Sequence, residues 1–139
     1  MVLLEVSGLT KVFGGLAAVK NVDFVINEGE ILGIIGPNGA GKTTLFNLVS
    51  GFYKPSKGKI NFAGEDITNL TPPSKFCAKG IARTFQVVRP FANMTVEENV
   101  MIGAMSKIAN VNRAREYARE VLKMVGFGRS KETLAKNLT

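Results

Sequence analysis

Apolar residues alternate with other residues at several places in the first third of the chain, and this alternation predicts β-strands. Val2, Leu4 and Val6 share one side of the first strand. Residues 31–35 are apolar on both sides, which is typical of a strand in the centre of a covered sheet. The predicted strands are residues 2–9, 17–26, 31–35, 59–63 and 81–85. Turns are predicted at residues 11–15, 28–30 and 55–58.

Helical spacing replaces this alternation in the second half of the chain. An apolar stripe with the spacing of one helix face comprises Ala114, Tyr117, Ala118, Val121, Leu122 and Val125. Thr95 and Glu98 have the spacing of a capping box, which predicts that a helix begins there. Thr71 is the predicted N-cap of a shorter helix with Pro72 at its first position. The predicted helices are residues 43–50, 72–79, 95–109 and about 112–125.

A glycine-rich loop joins the apolar segment 31–35 to the first predicted helix. It follows the phosphate-binding pattern G-x-x-x-x-G-K-[ST] through Gly36, Pro37, Asn38, Gly39, Ala40, Gly41, Lys42 and Thr43, and Thr44 comes directly after it. The glycines lack a Cβ atom, so the backbone can turn tightly and approach a ligand closely. Successive backbone N–H groups and the helix N-terminus then form an anion-binding site. The pattern predicts binding of a nucleoside triphosphate.

Two side chains at the end of this loop add further chemistry. Lys42 supplies a positive charge for the outer phosphates. The Thr43 hydroxyl is placed to ligate Mg²⁺, which prefers phosphate and hydroxyl oxygens. A chance match in a glycine-rich loop is the alternative, and the strand and helix predicted on either side count against it.

The composition of the 139 residues is that of a globular domain, with 45% hydrophobic and 21% charged residues. The net charge is +7, and residues 105–139 hold eight basic and three acidic side chains, which places +5 of it there. A basic surface can favour nucleic acid or an anionic membrane. No long block of like charges occurs, however, so we expect no nucleic-acid partner and interpret the charge as a solvated helix face.

Two scarce residue types narrow the possible chemistry. Cys77 is the only cysteine and histidine is absent. An internal disulfide, a cysteine or histidine metal site and a Ser-His-Asp triad are therefore excluded. We expect no signal peptide, because the apolar segment before Val6 is short and contains Glu5. No apolar run approaches the length that spans a membrane, so we expect a soluble cytoplasmic protein.

Hydrolysis of a nucleotide requires more than phosphate binding. It needs a group that positions water and usually a second acidic side chain near the metal ion. After Lys42 there is no run of four apolar residues that ends in Asp or Glu, and the guanine-specific pattern Asn-Lys-x-Asp is absent. The residues themselves thus indicate a phosphate-binding site without an evident catalytic half, and they argue against a GTPase.

Several motifs together resemble one family, the ATPases of ATP-binding cassette (ABC) transporters. The loop at 36–44 resembles their Walker A motif, residues 81–86 (Ile-Ala-Arg-Thr-Phe-Gln) resemble their Q-loop, and residues 94–100 resemble the helix start that follows. Residues 58–60 and 64–67 match the strand and turn in between. The Arg-Thr-Phe-Gln form is most similar to the ATP-binding subunits of branched-chain amino acid importers. The resemblance covers essentially the whole chain.

This resemblance implies an α/β P-loop NTPase fold of the ABC ATPase type, with a β-rich N-terminal part and a helical subdomain. We expect residues 1–86 to form the β-rich and P-loop core, and residues 87–139 to form the Q-loop and the helical subdomain. The family's signature loop would begin at about Thr139. We therefore expect an incomplete fold, the N-terminal portion of one ABC ATPase domain, that binds ATP weakly and hydrolyses it negligibly by itself.

The resemblance also implies roles for individual residues. Phe13 corresponds to the aromatic residue that stacks on adenine, where the family more often has tyrosine, and Val19 would flank the nucleotide. Lys42 and Gln86 are the implied catalytic residues, Thr43 and Gln86 are the implied Mg²⁺ ligands, and the whole loop would bind the phosphates. Plainer alternatives stay open: Phe13 as a core or turn residue, Val19 as a core strand residue and Gln86 as a solvated loop amide.

The function that the resemblance implies is that of the ATP-hydrolysing subunit of an importer, on the cytoplasmic face of the cell membrane. Its ligands would be ATP and Mg²⁺. Its partners would be transmembrane permease subunits, a second ABC ATPase subunit in a homo- or heterodimer and, indirectly, a periplasmic or extracellular binding protein. Two other functions stay open: a nucleotide-binding or interaction module that does not hydrolyse, and a nucleic-acid-associated P-loop ATPase.

Overall fold

The computed structural model describes residues 1–138, except for the side chain of Arg129; Thr139, the last residue of the predicted helical part, lies outside the described residues. The chain divides into two units, of which the first is Met1–Arg83 and the second begins at Thr84. The predicted division into residues 1–86 and 87–139 stays a prediction. Each unit is described in turn below.

An antiparallel sheet with the strand order β2-β1-β3-β4 is the frame of the first unit. Its strands are β1 (Val2–Phe13), β2 (Leu16–Asn27), β3 (Lys57–Phe62) and β4 (Glu65–Asp66). β1 and β2 form a hairpin around Gly14 and Gly15, whose φ angles of 50° and 90° suit a two-residue turn between twisted strands. The turn predicted at residues 11–15 is therefore shorter, because β1 continues to Phe13.

The strand predicted at residues 31–35 does not form. Residues 31–35 have no regular secondary structure and pair with none of the described strands, and Ile31 and Ile35 are each 97% exposed. Only Ile34 packs partly against the core of this unit. A strand is stabilised by hydrogen bonds to its neighbours. The apolar pattern predicts burial of such a segment but does not supply the neighbouring strands that would pair with it.

Two helices accompany the sheet, α1 (Lys42–Val49) and α2 (Pro73–Lys79). The prediction of Thr71 as the N-cap of α2 is wrong: Pro73 takes a position in the first turn, so Pro72 becomes the N-cap and Thr71 lies one residue too early. Gly80 ends α2 with a φ angle of 100°, so the predicted end of this helix at residue 79 is confirmed. The strand predicted at residues 81–85 is also absent; the backbone N–H of Ile81 instead donates to the carbonyl of Phe76 at 3.0 Å.

The core of the first unit lies between the sheet and both helices. It is formed by Val6, Leu9, Val19, Leu45, Leu48, Ile60, Ile67 and Phe76. Leu45 and Leu48 are the buried face of α1, and Phe76 is the buried residue of α2. Burial of each such side chain contributes about 1.5–3 kcal/mol to folding. The helix that follows the glycine-rich loop is thus anchored on the sheet by its apolar side.

The second unit is built on α3 (Val96–Met105) and α4 (Val111–Met124). Thr95 is the N-cap of α3, and its hydroxyl accepts from the backbone N–H of Glu98 at 3.1 Å while the Glu98 carboxylate accepts from the backbone N–H of Thr95 at 2.7 Å. This capping box confirms the predicted helix start. α3 ends four residues before the predicted end at residue 109, and α4 begins after its N-cap Asn110.

Ala114, Ala118 and Leu122 are the buried members of the predicted apolar stripe of α4. Tyr117 and Val125, also predicted for this stripe, are more than half exposed. Two 3-10 turns, Gly128–Ser130 and Ala135–Asn137, follow α4 and were not predicted. Between the two turns, Leu134 forms an antiparallel β-bridge with Thr95 at the start of α3. The Val96 N–H donates to the Thr133 carbonyl, and the Ala135 N–H donates to the Met94 carbonyl, each at 2.9 Å.

A nearly buried carboxylate joins the two helices of this unit. The Glu97 side chain is 11% exposed and accepts from Nε of Arg119 at 2.7 Å and from its Nη2 at 3.2 Å. Nε of Arg115 lies 3.4 Å from the same carboxylate. The hydrogen bonds from Arg119 are the main cause that lowers the pKa of Glu97 below its ordinary value of 4.5.

This interaction predicts that the stability of the second unit decreases in acid. Because the pKa of Glu97 is lower in the folded state, its contribution is fully present above pH 4.5 and is lost as the pH falls through the folded-state pKa. Both arginines are about half exposed to water, so we expect the contribution to be only about 1–2 kcal/mol. Urea unfolding of the wild type and Glu97→Gln, above and below pH 4.5, measures it.

Glu120→Gln is the matched control, since Glu120 is exposed on α4 and belongs to no described ion pair. The difference in unfolding free energy between wild type and Glu97→Gln should shrink in acid, whereas Glu120→Gln should follow the wild type at every pH. An equal difference for Glu97→Gln at all pH values would contradict the prediction.

Candidate functional site

The glycine-rich loop leads from the segment 31–35 into α1. Gly39 and Gly41 have φ angles of 81° and 86°, in the left-handed region that residues with a Cβ rarely adopt. The backbone N–H of Ala40 donates to the carbonyl of Pro37 at 3.3 Å and closes a turn within the loop. The sequence thus forms a tight, exposed loop immediately before a helix, which is the arrangement that the pattern predicts.

Gly41 lies in direct contact with the sheet. A Cβ atom at this position would be 2.1 Å from the carbonyl oxygen of Ala18 and 3.5 Å from Cγ2 of Val19, both in β2. No side chain can be accommodated at such a distance without movement of the backbone. The close approach fixes the end of the loop, and therefore the start of α1, against the beginning of β2, near the hairpin turn.

The N-terminus of α1 is open to an anion. No side chain caps it, its first turn contains no acidic residue, and the first helical hydrogen bond is donated by Leu45 to the Gly41 carbonyl at 2.9 Å. The preceding N–H groups of the first turn therefore lack helical partners and carry the positive end of the helix dipole. Thr43 is exposed and Thr44 half-buried at this end. Such a helix end favours a phosphate.

Lys42 directs its ammonium group back over the loop. Nζ donates to the carbonyl oxygens of Gly36 at 2.6 Å and Pro37 at 2.7 Å. Among the described side chains, Lys42 forms no ion pair. The ammonium group is thus hydrogen-bonded only to neutral carbonyl oxygens of the loop. An anion such as a phosphate would interact with it more strongly and could replace them.

The residues present fit a magnesium-bound triphosphate by their donor chemistry. The loop and the first turn of α1 supply N–H donors, Lys42 supplies a positive charge and the exposed Thr43 supplies a hydroxyl oxygen. Among residues 1–138, no group of three or more His, Cys, Asp and Glu side chains could hold a metal ion by itself.

Phe13 and Val19 differ in their surroundings. Phe13 ends β1 at the hairpin turn and is 43% exposed, so a face or edge of its ring is accessible to a ligand. Val19 is buried in the core, and its Cγ2 lies 3.5 Å from the position that a Cβ atom of residue 41 would take. This environment agrees with the alternative that Val19 is a core strand residue. Their predicted contacts with a nucleotide stay predictions.

Gln86 belongs to the second unit, whereas the loop belongs to the first. It is exposed in a bend between α2 and α3. Its predicted roles towards Mg²⁺ and the attacking water stay predictions.

Arg83 interacts with the end of α1, which sequence reasoning missed. Its Nη1 donates to Oδ1 of Asn47 and to Oγ of Ser50 at 3.4 Å, and its guanidinium lies 5.6 Å from the centre of the Phe52 ring. The last turn of α1 has no basic residue of its own. Arg83 therefore places a positive charge at the negative end of the helix dipole. The sequence places Arg83 within the motif that resembles the Q-loop, but the spacing of residues does not predict its contacts with Asn47 and Ser50.

In the described part of the chain, no helix is long and apolar enough to cross a membrane.

Comparison with known proteins identifies close sequence relatives. The branched-chain amino acid transport ATP-binding protein BraF of Pseudomonas aeruginosa is 50% identical over 110 residues, which is 79% of this chain and 42% of that protein. The branched-chain amino acid transport ATP-binding protein LivG of Escherichia coli K12 is 49% identical over 100 residues, which is 72% of this chain and 39% of that protein. The chain thus spans about two fifths of the length of the curated relatives it matches.

Solved structures with the same fold include ATP-binding cassettes, and the first two described below come from ABC transporters. A nucleotide-free cassette and a cassette in its ADP conformation each have a TM-score of 0.84 and 32% identity, and the matches cover all of this chain and 60% and 59% of those chains. A dimeric cassette in a post-hydrolysis state has a TM-score of 0.84, with 26% identity over 99% of this chain and 63% of that chain. The predicted P-loop NTPase fold of the ABC ATPase type is confirmed.

The family model described as ABC transporter matches residues 19–139. That range contains the phosphate-binding loop, α1, Arg83 and Gln86. The loop geometry, the fold and the family match agree, and the chain belongs to the ABC transporter family.

Proposed function

We propose that this chain contributes the Mg²⁺-ATP-binding portion of the ATP-hydrolysing subunit of an ABC importer for branched-chain amino acids. The observation that carries the proposal is the phosphate-binding loop, whose left-handed Gly39 and Gly41 lead into the uncapped N-terminus of α1 beside the Lys42 ammonium. The transported substrate is supported by the names of the relatives, BraF and LivG.

The roles within this site follow from its donors. The loop N–H groups and those of the first turn of α1 would hold the β- and γ-phosphates, and Lys42 would leave the carbonyls of Gly36 and Pro37 for phosphate oxygens. Thr43 would ligate Mg²⁺, and Gln86 would reach the ion or the attacking water. When bound, Mg²⁺ neutralises negative charge on the phosphate oxygens. Lys42 acts in the same sense on charge that develops on the γ-phosphate.

The partners of the proposed subunit follow from the same function. We propose transmembrane permease subunits, a second ABC ATPase subunit and, indirectly, a periplasmic or extracellular binding protein, with the subunit on the cytoplasmic face of the membrane. A dimeric cassette among the similar structures supports the second subunit. For the 139 residues by themselves we propose weak ATP binding and negligible hydrolysis.

Lys42→Ala tests the proposed phosphate site. We expect the affinity for Mg²⁺-ATP, measured by isothermal titration calorimetry, to fall by about 10–100-fold, because a charged hydrogen-bonding partner of the phosphates is removed. Lys75→Ala is the matched control, since Lys75 is exposed on α2 and outside the loop. Unchanged ATP affinity in Lys42→Ala, with the fold intact by circular dichroism, would refute the proposed site.

A further inference from the structure

Two exposed aromatic rings meet at the end of the β1–β2 hairpin. The centres of the Phe13 and Tyr53 rings are 5.3 Å apart, and their planes make an angle of 74°, which is an edge-to-face arrangement. Phe13 is 43% and Tyr53 is 40% exposed. Nζ of Lys11 lies 5.1 Å from the centre of the Phe13 ring and 5.8 Å from that of Tyr53. We call Lys11, Phe13 and Tyr53 the Phe13 cluster.

The Phe13 cluster is tied to the backbone on both sides. Nζ of Lys11 donates to the carbonyl of Lys54 at 2.6 Å, so the cation is fixed where both rings can interact with it. The Val12 N–H donates to Oγ of Ser56 at 3.1 Å, and the Ser56 N–H donates to the Thr10 carbonyl at 2.8 Å. The segment that carries Tyr53 is therefore attached to the end of β1, which carries Phe13.

The same segment begins at the end of the phosphate-binding helix. The N–H groups of Phe52 and Tyr53 both donate to the Asn47 carbonyl in α1, at 2.8 Å and 3.0 Å. Tyr53 thus connects the helix that follows the phosphate-binding loop with the ring of Phe13. A short, hydrogen-bonded path joins the two places at which a nucleotide would be held.

An exposed phenylalanine at a strand end would otherwise be free to change rotamer. Here the edge-to-face contact with Tyr53 and the cation near the ring limit its orientations, and each interaction is favourable beyond simple burial. The Lys11 cation lies over the Phe13 ring, and this residue stays 43% exposed, so part of its surface is accessible to a planar ligand. The cation also withdraws electron density, which favours stacking on an electron-rich purine.

We propose that Lys11 and Tyr53 are positioning residues that hold the Phe13 ring in the orientation in which it stacks on the base of the bound nucleotide. This inference rests on the proposed function, because it assumes that Phe13 is the base-binding residue. Neither residue needs to touch the nucleotide. Their effect is to reduce the conformational freedom that Phe13 would lose on binding.

The test compares ATP with inorganic tripolyphosphate, which carries the phosphates but no base. Dissociation constants of both, with Mg²⁺, are measured by isothermal titration calorimetry for the wild type, Tyr53→Leu and Lys11→Met. We expect each variant to lose about threefold to tenfold in ATP affinity while its tripolyphosphate affinity is unchanged, since only the orientation of Phe13 is altered. Tyr53→Phe and Lys11→Arg should retain wild-type ATP affinity, because they keep the ring and the cation.

Two controls separate positioning from other effects. Lys75→Met removes an equal charge from exposed α2 and should change neither affinity. In a Phe13→Ala background, Tyr53→Leu and Lys11→Met should cause no further loss of ATP affinity, because the residue that they position is absent. Equal losses for ATP and tripolyphosphate would indicate a merely structural role and would overturn the proposal.

The failure of this inference and that of the proposed function give different results. If Phe13→Ala lowers ATP affinity but Tyr53→Leu and Lys11→Met do not, the positioning role is wrong and the proposed nucleotide site stands. If Phe13→Ala and Lys42→Ala both leave ATP affinity unchanged, the proposed function itself is wrong, and the positioning role is wrong with it.

Discussion

Gly41→Ala should be strongly destabilising, with a loss of about 2–5 kcal/mol in unfolding free energy. Two costs combine at this position. An alanine with a φ angle of 86° costs about 1–2 kcal/mol in backbone strain. Its Cβ would also lie 2.1 Å from the Ala18 carbonyl oxygen, and relief of that overlap requires movement of the loop or of β2 at about 1–3 kcal/mol. Urea unfolding followed by circular dichroism measures the total.

Gly39→Ala is a matched control in the same loop. Gly39 has a similar φ angle of 81°, but nothing lies within 4 Å of the position of its Cβ. We expect Gly39→Ala to show the strain alone, about 1–2 kcal/mol. Equal destabilisation by the two substitutions would mean that the contact between Gly41 and β2 has no energetic importance.

Gly41→Ala should also abolish measurable ATP binding. Displacement of Gly41 from β2 moves the start of α1, which carries the open N–H groups and Lys42. Calorimetric titration below the unfolding transition tests this. Retained ATP affinity in a folded Gly41→Ala protein would show that the close approach serves stability only.

Gly51→Ala is the second substitution with a large expected effect, about 2–4 kcal/mol of destabilisation. Gly51 follows the C-cap of α1 with a φ angle of 75°. A Cβ there would lie 2.3 Å from Cε2 of Phe76, whose ring is buried in the core, so the ring or the helix end must move. Chemical denaturation of wild type and variant gives the difference in unfolding free energy.

A double-mutant cycle isolates the steric part of this effect. Phe76→Leu removes the ring that Gly51→Ala would meet, so the double variant should be more stable than the sum of the two single effects predicts. Gly80→Ala serves as the control, because Gly80 has a φ angle of 100° and nothing within 4 Å of its Cβ position. Strict additivity of the Gly51 and Phe76 substitutions would rule out the steric explanation.

The tight turn of the glycine-rich loop before α1 and the capping box of α3 were predicted correctly because their information is local. Gly39 and Gly41 are required by backbone angles within the loop itself, and Thr95 and Glu98 bond each other within one turn. The adjacent helices follow from apolar spacing over a few turns. In each case the residues that interact are close in the sequence, so their types and spacing are sufficient.

The predictions of strands at residues 31–35 and 81–85 were wrong because the formation of a strand depends on distant residues. An apolar run indicates that a segment prefers burial. A strand also needs neighbouring strands to pair with, and their positions depend on the rest of the fold. The sheet of the first unit pairs β1 with β2 and β3, and neither segment joins it. The Thr71 cap was wrong on a smaller scale, because either of two adjacent prolines could begin the helix.

Sequence alone therefore determined the geometry of the glycine-rich loop, the family resemblance and most helix starts, since each depends on residues that are close in the chain. Only the tertiary structure decided which distant side chains meet. Lys11 and Tyr53 are 42 positions apart, yet both interact with Phe13, and Arg83 interacts with Asn47 across 36 positions. Such contacts depend on how the sheet and helices pack, and no local pattern in the chain specifies them.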